Sequence, residues 1–136
     1  MLQNCFLSRN LELVIICPSN PFLSIAPILA IPEINSFLVK TKVPVVAVSP
    51  IIGGQALKGP TAKIMRELKL EVSSPTIAQF YNKIISKLFI DTTDENEVSK
   101  IEEFGVEAIV TNTVMLTERE KMNLGNKILS ETGIEF

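Results

Sequence analysis

Histidine is missing altogether, and with it go the commonest acid/base side chain at neutral pH and the commonest zinc ligand. Cysteine occurs only at Cys5 and Cys17, which gives neither a metal-ligand spacing nor a framework of bridges. A reduced, cytoplasmic protein is the expectation. Neither sign of charge is in marked excess: 13 basic residues face 15 acidic ones, for a net charge of −2. No field strong enough to gather a polyanion follows, so nucleic acid is not an expected partner. Long apolar runs are missing too. The most apolar stretch, residues 22–34, is interrupted by Pro27 and Pro32 and falls short of the roughly 20 residues that span a bilayer. It reads as a packed helix pair and not as a membrane anchor. Residues 1–10 lack the basic start, long apolar core and small-residue cleavage site of an export signal, so no export is expected.

What the chain does have is apolar residues, 46% of the total, with a mean hydropathy of +0.32. That is more than a free-standing domain of this size needs. The surplus must be covered by helices on both faces of a sheet, by a partner chain, or by a further part of the same protein. The length fits one domain, residues 1–136.

Residues 13–17 (Leu-Val-Ile-Ile-Cys) form an apolar run without polar alternation, which reads as a strand buried on both faces. Asn20 then caps a helix with Pro21 at its first position, and Pro32 starts a second helical segment to about Lys40. Val45-Val46-Ala47-Val48 repeats the strand pattern. Residues 50–60 hold Gly53, Gly54 and Gly59 and read as a loop able to bring its backbone close to a ligand, with Pro60 opening the next helix. In that helix Ile64, Met65 and Leu68 share a face. Ile77, Phe80, Tyr81, Ile84 and Ile85 predict an amphipathic helix over 76–87, running into the strand at Leu88-Phe89-Ile90. Asp94 and Glu97 have the spacing of a helix start, with Val98, Ile101 and Phe104 inward and Gly105 as the stop. The acids Asp94, Glu95, Glu97, Glu102 and Glu103 read as a solvated helix face. Ala108-Ile109-Val110 is another strand. Thr117 and Glu120 form a capping box for a last helix with Met122, Ile128 and Leu129 inward.

Strands alternating with helices at this spacing imply a parallel sheet with helices on both faces. All strands then end at one edge, so the turns after Cys17, Ser49, Ile90 and Val110 converge there. Three of these turns carry candidate ligand groups. In Pro18-Ser19-Asn20-Pro21, free N–H groups at a helix start and the side chains of Ser19 and Asn20 suit an anion, although Asn20 also reads as a plain N-cap. The segment 49–60 combines Ser49, the paired glycines and Lys58 in a stretch able to cradle phosphate. It also reads as a plain turn with a solvated lysine, and Pro60-Thr61 stand where a P-loop needs Lys-Ser/Thr. Thr111-Asn112-Thr113 offers three polar side chains, or a turn that satisfies its own backbone.

The three segments together are similar to the 2-phospho-L-lactate transferase family. The likeness lies in Pro18-Ser19-Asn20-Pro21-Phe22 with Ser24-Ile25, in residues 45–60 (VVAVSPIIGG with ALKGP), and in Val110-Thr111-Asn112-Thr113-Val114-Met115. What the resemblance implies is a Rossmann-like, three-layer αβα fold with a mainly parallel sheet. It also implies an enzyme that moves a phospholactyl or phosphoenolpyruvyl group from its GMP diester to the terminal hydroxyl of the deazaflavin Fo, releasing GMP and using magnesium. Carried onto this chain, Ser19 and Asn20 would hold nucleotide phosphate, Ser49, Gly53, Gly54 and Lys58 would line the same site, and Thr111 would face it. Asp91 and Asp94, after a strand on the ligand edge, are within reach of magnesium or the acceptor, while capping accounts for Asp94 without function. Cys17 stands where members often have glycine or alanine, and Asn112 where many have Asp.

Members begin with a glycine-rich loop and acidic residues that serve the metal and Fo. Nothing here matches that half, so the chain is expected to correspond to the C-terminal half, inactive alone, and to act as a homo-oligomer or with a missing N-terminal half. Two other readings stand beside this one. One is a non-catalytic nucleotide-sugar-binding regulator of related fold, against which the intact Pro-Ser-Asn-Pro counts. The other is a remnant that only packs against another subunit.

Overall fold

The apolar runs form strands that lie side by side in one direction. In the computed structural model, which describes residues 10–56 and 59–134, the strands are β1 (Val14–Ile16), β2 (Val45–Val48), β3 (Ile51–Ile52), β4 (Gln55–Ala56), β5 (Lys87–Asp91) and β6 (Glu107–Thr111). Four of them make a sheet in the order β1-β2-β5-β6, with every neighbouring pair parallel. The helices are α1 (Ala26–Leu29), entered through a π-helical turn Pro21–Ile25, α2 (Pro32–Lys40), α3 (Thr61–Glu67), α4 (Ser74–Tyr81), α5 (Val98–Glu102), entered through a 3-10 turn Thr92–Glu97, and α6 (Glu118–Glu131).

Side chains alternate across a strand, and the two faces of β2 feed two separate cores. Val45 and Ala47 pack with Ile34 and Leu38 of α2, Met65 of α3, Ile77, Ala78 and Tyr81 of α4 and Ile101 of α5. Val46 and Val48 pack with Phe89 of β5 and with Leu124 and Ile128 of α6. Helices therefore cover both faces, giving the three-layer Rossmann-like α/β arrangement expected from the sequence.

Several local expectations needed revision. The first strand is not buried on both faces: Ile15 is 40% exposed and Cys17 is exposed. The loop after β2 contains a hairpin, β3 against β4, turning at Gly53 and Gly54, both at positive φ as a two-residue hairpin turn requires. The helix expected over 76–87 starts at Ser74 and ends at Tyr81, because Ile84 and Ile85 bond back to Tyr81 in a turn before β5. Phe80 is exposed, edge-on to Phe22 and Tyr81. Leu68 and Met122 face outward, leaving Met65 to anchor α3 and Leu124 and Ile128 to anchor α6. The capping box of Thr117 and Glu120 is present as read. The apolar stretch near residue 30 bends by 89° between its two helical segments, and Leu23 and Ile28 are exposed there. Among the described residues no single helix is long and apolar enough to cross a membrane.

Candidate functional site

All four strands of the parallel sheet end at one edge, and there the loops after β1, β2 and β6 enclose a cleft of about 410 Å³. Its polar groups come from Ser19, Asn20, Ser49, Thr61 and Thr113, and its apolar walls include Pro50, Ile52 and Met115. Crevices outside the carboxyl ends of parallel strands are where open α/β sheets place ligands.

Asn20 plays two roles with two different atoms. Its Oδ1 accepts the backbone N–H groups of Phe22 and Leu23, each at 2.9 Å, so the helix-start amides expected to be free for an anion are already taken. That fixes the orientation of the side-chain amide and leaves Nδ2 buried without a partner among the described residues. A buried donor left unmade costs about 1–3 kcal/mol, which makes it an unusual thing for a fold to keep.

Ser49 is buried and exchanges a hydrogen bond of 2.8 Å with Ser74 at the start of α4. Its Oγ also accepts the Ile51 N–H at 3.2 Å, so this residue shapes the turn from β2 into the hairpin. Gly53 and Gly54 do not line the cleft. The Gly53 N–H donates to the Asp94 carboxylate, at 2.9 Å to Oδ1, and a side chain at Gly54 would meet the Val72 carbonyl. They form the tip of the hairpin whose Ile52 does reach the cleft. Lys58 lies outside the described residues, next to Gly59, which lines the cleft. Thr111 ends β6 away from the cleft, and Thr113, two residues on, lines it instead.

Asp91, Asp94 and Glu97 each accept backbone N–H groups. Asp91, not Asp94, caps the turn after β5: its Oδ1 accepts the Thr93 N–H at 3.0 Å and the Thr93 hydroxyl at 2.7 Å. Its Oδ2 accepts the Thr113 N–H at 3.1 Å, tying β5 to the loop after β6. Burial alone would raise the Asp91 pKa, and these bonds outweigh it and hold the carboxyl below its ordinary value. Burial pushes Asp94 up, with the Asp91 charge adding and the Gly53 N–H opposing. Glu97, half-buried, accepts the Ser74 N–H and is likewise raised, chiefly by burial. Asp94 and Glu97 are therefore not part of a solvated face, whereas Glu95, Glu102 and Glu103 are exposed.

With both Asp91 oxygens engaged, and no group of three or more acidic or thiol side chains gathered among the described residues, the donors present do not fit a magnesium ion. Asn112 accepts the Val114 N–H with its own Oδ1, closing the polar turn on itself.

Thr61 and Thr113 were missed as cleft residues. Thr61 was legible only as the residue that spoils a P-loop, and Thr113 only as one of three neighbours in a turn.

The family model described as 2-phospho-L-lactate transferase CofD matches residues 9–131. A 2-phospho-L-lactate transferase of Methanocaldococcus jannaschii is 42% identical, covering 92% of this chain and 39% of that protein. Those of Methanococcoides burtonii and Methanosarcina barkeri are 40% and 36% identical, covering 86% and 89% of this chain and 38% of each relative. The chain thus spans about two fifths of the length of the curated relatives it matches.

Proposed function

The chain belongs to the 2-phospho-L-lactate transferase CofD family, and on that premise we propose that its cleft grips the phosphate end of a guanosine nucleotide. The reaction served is transfer of a phospholactyl or phosphoenolpyruvyl group from its GMP diester to the terminal hydroxyl of the deazaflavin Fo. The Fo oxygen forms the new bond to the phospholactyl phosphorus while its hydroxyl proton passes to solvent, the anhydride bond between that phosphorus and the GMP phosphate oxygen breaks, and GMP leaves with that oxygen.

The observation that carries this reading is the unpartnered Asn20 Nδ2 in a cleft otherwise supplied with Ser19, Ser49, Thr61 and Thr113. Transfer at phosphorus asks a protein for positioning and for donors aimed at the oxygens, more than for covalent help, so a chain without histidine suffers no handicap. Lys58, beside the cleft residue Gly59, is the cation we assign to the phosphates. Gly53, Gly54 and Thr111 act at one remove, by setting the hairpin that carries Ile52 and the turn that carries Thr113. Magnesium, which would neutralise charge on the phosphates, needs ligands beyond the described residues, and no step here runs through it. Turnover by this chain alone is accordingly expected to be absent, with activity requiring polypeptide that completes the family's length.

Thermal shift with GDP, GMP and UDP-sugars tests the ligand class, since a ligand that binds only the folded state raises its melting temperature. Guanine-specific stabilisation is expected. Stabilisation by UDP-sugars would transfer the chain to the sugar-nucleotide regulators, and no stabilisation by any of them would leave only a packing role.

A further inference from the structure

The cleft is polarised across the width of the sheet. Asn20 reaches it from the loop after β1 and Thr113 from the loop after β6, the two outer strands of the order β1-β2-β5-β6. Three strand spacings, about 14 Å, separate those strands. On the β1 side the free group is a donor, the buried Nδ2 of Asn20. On the β6 side it is an acceptor. Thr113 is buried, and its N–H and its hydroxyl both meet Asp91 Oδ2, at 3.1 Å and 3.4 Å. An ionised carboxylate only accepts, so the direction of the second contact is fixed. The hydroxyl proton turns to Asp91, and the lone pairs of Thr113 Oγ1, to which no group among the described residues donates, are left for whatever enters the cleft. Asp91 is itself held in place, because its Oδ1 takes the N–H and the hydroxyl of Thr93. The Asp94 carboxylate lies near enough for each charge to be felt by the other. Two buried carboxylates on this side oppose a phosphate, whose oxygens also only accept.

We propose that Thr113, positioned by Asp91, accepts a hydrogen bond from a ribose hydroxyl of the bound nucleotide, whose phosphates lie toward Asn20. The inference rests on the nucleotide reading above and adds to it the direction in which the ligand lies and a requirement for its sugar hydroxyls. A donor is what Thr113 lacks, and a nucleoside diphosphate offers donors only on its sugar and its base. The N1–H and N2–H pair of guanine calls for two acceptors side by side, and both Asp91 oxygens are already engaged. A single oxygen suits a single hydroxyl. The terminal hydroxyl of Fo is a second source of the same chemistry, and the experiment separates the two.

Dissociation constants of this chain for GDP and for 2′,3′-dideoxy-GDP, taken from nitrogen-15 NMR titrations, test the contact. The dideoxy compound is expected to bind about fivefold or more weakly than GDP. Thr113→Val keeps the N–H that bonds to Asp91 and loses the hydroxyl, so it should bring GDP down to the level of the dideoxy compound and leave the latter unchanged. Thr113→Ser should restore the difference. Asp91→Asn, which releases the hydroxyl proton, should shrink the difference while binding of the dideoxy compound persists; a merely structural role of Asp91 would weaken both ligands alike. Equal binding of the two compounds by the native chain, or a difference that survives Thr113→Val, would overturn the ribose contact and leave the nucleotide reading standing. A Thr113→Val loss seen with Fo and not with GDP would assign the hydroxyl to the acceptor, and weakened binding of inosine diphosphate in place of the dideoxy compound would assign Thr113 to the base; either overturns the proposal. No binding of GDP at all would overturn both the contact and the reading it rests on.

Discussion

Asp94 and Gly53 stand 41 residues apart in sequence and meet as carboxylate and amide at 2.9 Å. That contact pins the tip of the β3–β4 hairpin to the turn after β5 and so holds Ile52 at the wall of the cleft. Asp94→Ala leaves the Gly53 N–H without its acceptor and is expected to cost about 1–3 kcal/mol in urea unfolding. Asp94→Asn keeps an oxygen in place and removes a charge that burial disfavours. Because the folded-state pKa of Asp94 is raised, its favourable contribution is present below the unfolded value and is lost as pH rises through the folded one. The stability of Asp94→Asn relative to the native chain should therefore improve from pH 4 to pH 7; an opposite slope would contradict the assignment.

Asp91 behaves in the reverse sense. Its folded-state pKa is depressed, so the stability it contributes is present above the unfolded value of about 3.9 and is lost as pH falls through the folded value. Acid unfolding followed by circular dichroism should show a limb below about pH 4 that Asp91→Asn lacks. Asp91→Ala, which strands the amides of Thr93 and Thr113, is expected to cost about 2 kcal/mol or more at neutral pH.

The buried hydroxyl pair Ser49–Ser74 joins the end of β2 to the start of α4. Ser49→Ala should cost about 1–2 kcal/mol, because it strands the Ser74 hydroxyl and the Ile51 N–H, whereas Ser74→Ala leaves Ser49 bonded to the Ile51 backbone and should cost less; the double variant should cost clearly less than their sum, since both remove the same Ser49–Ser74 bond. Additive losses would mean that the pair is not a coupled unit.

All four strands of the parallel sheet and the capping box at Thr117 were legible because their signals are local: short apolar runs bounded by turn residues, and a threonine three residues before a glutamate. The failures are of another kind. Ile84 and Ile85 continue the helical spacing of α4 even though the chain has already turned, so periodicity alone overran the end by several residues. The pair Asp94 and Glu97 has capping spacing whether the aspartate caps its own turn or reaches Gly53, and only the fold decides between them. Glycines 53 and 54 were read as a place for close ligand approach; a hairpin turn with positive φ demands the same residue type. Ile15 reads as interior and is exposed, because what a strand's composition suits and what its neighbours supply are separate matters.

Purified chain, mixed with the guanylylated phospholactate donor, Fo and magnesium, is expected to release no GMP, since the described residues gather no metal-binding acids. Steady GMP release, followed by chromatography, would show that the ligands for catalysis are all present in this chain.

The side-chain amide of Asn20 offers the most direct reading of the cleft. In nitrogen-15 NMR spectra, millimolar GDP is expected to move the Asn20 Nδ2 proton signals together with the backbone amides of Ser19 and Thr113. In Asn20→Asp, which keeps the capping oxygen and removes the donor, the fold should persist while the GDP response falls about tenfold. Signals that move only on another surface, or an undiminished response in Asn20→Asp, would contradict a phosphate grip at the strand ends.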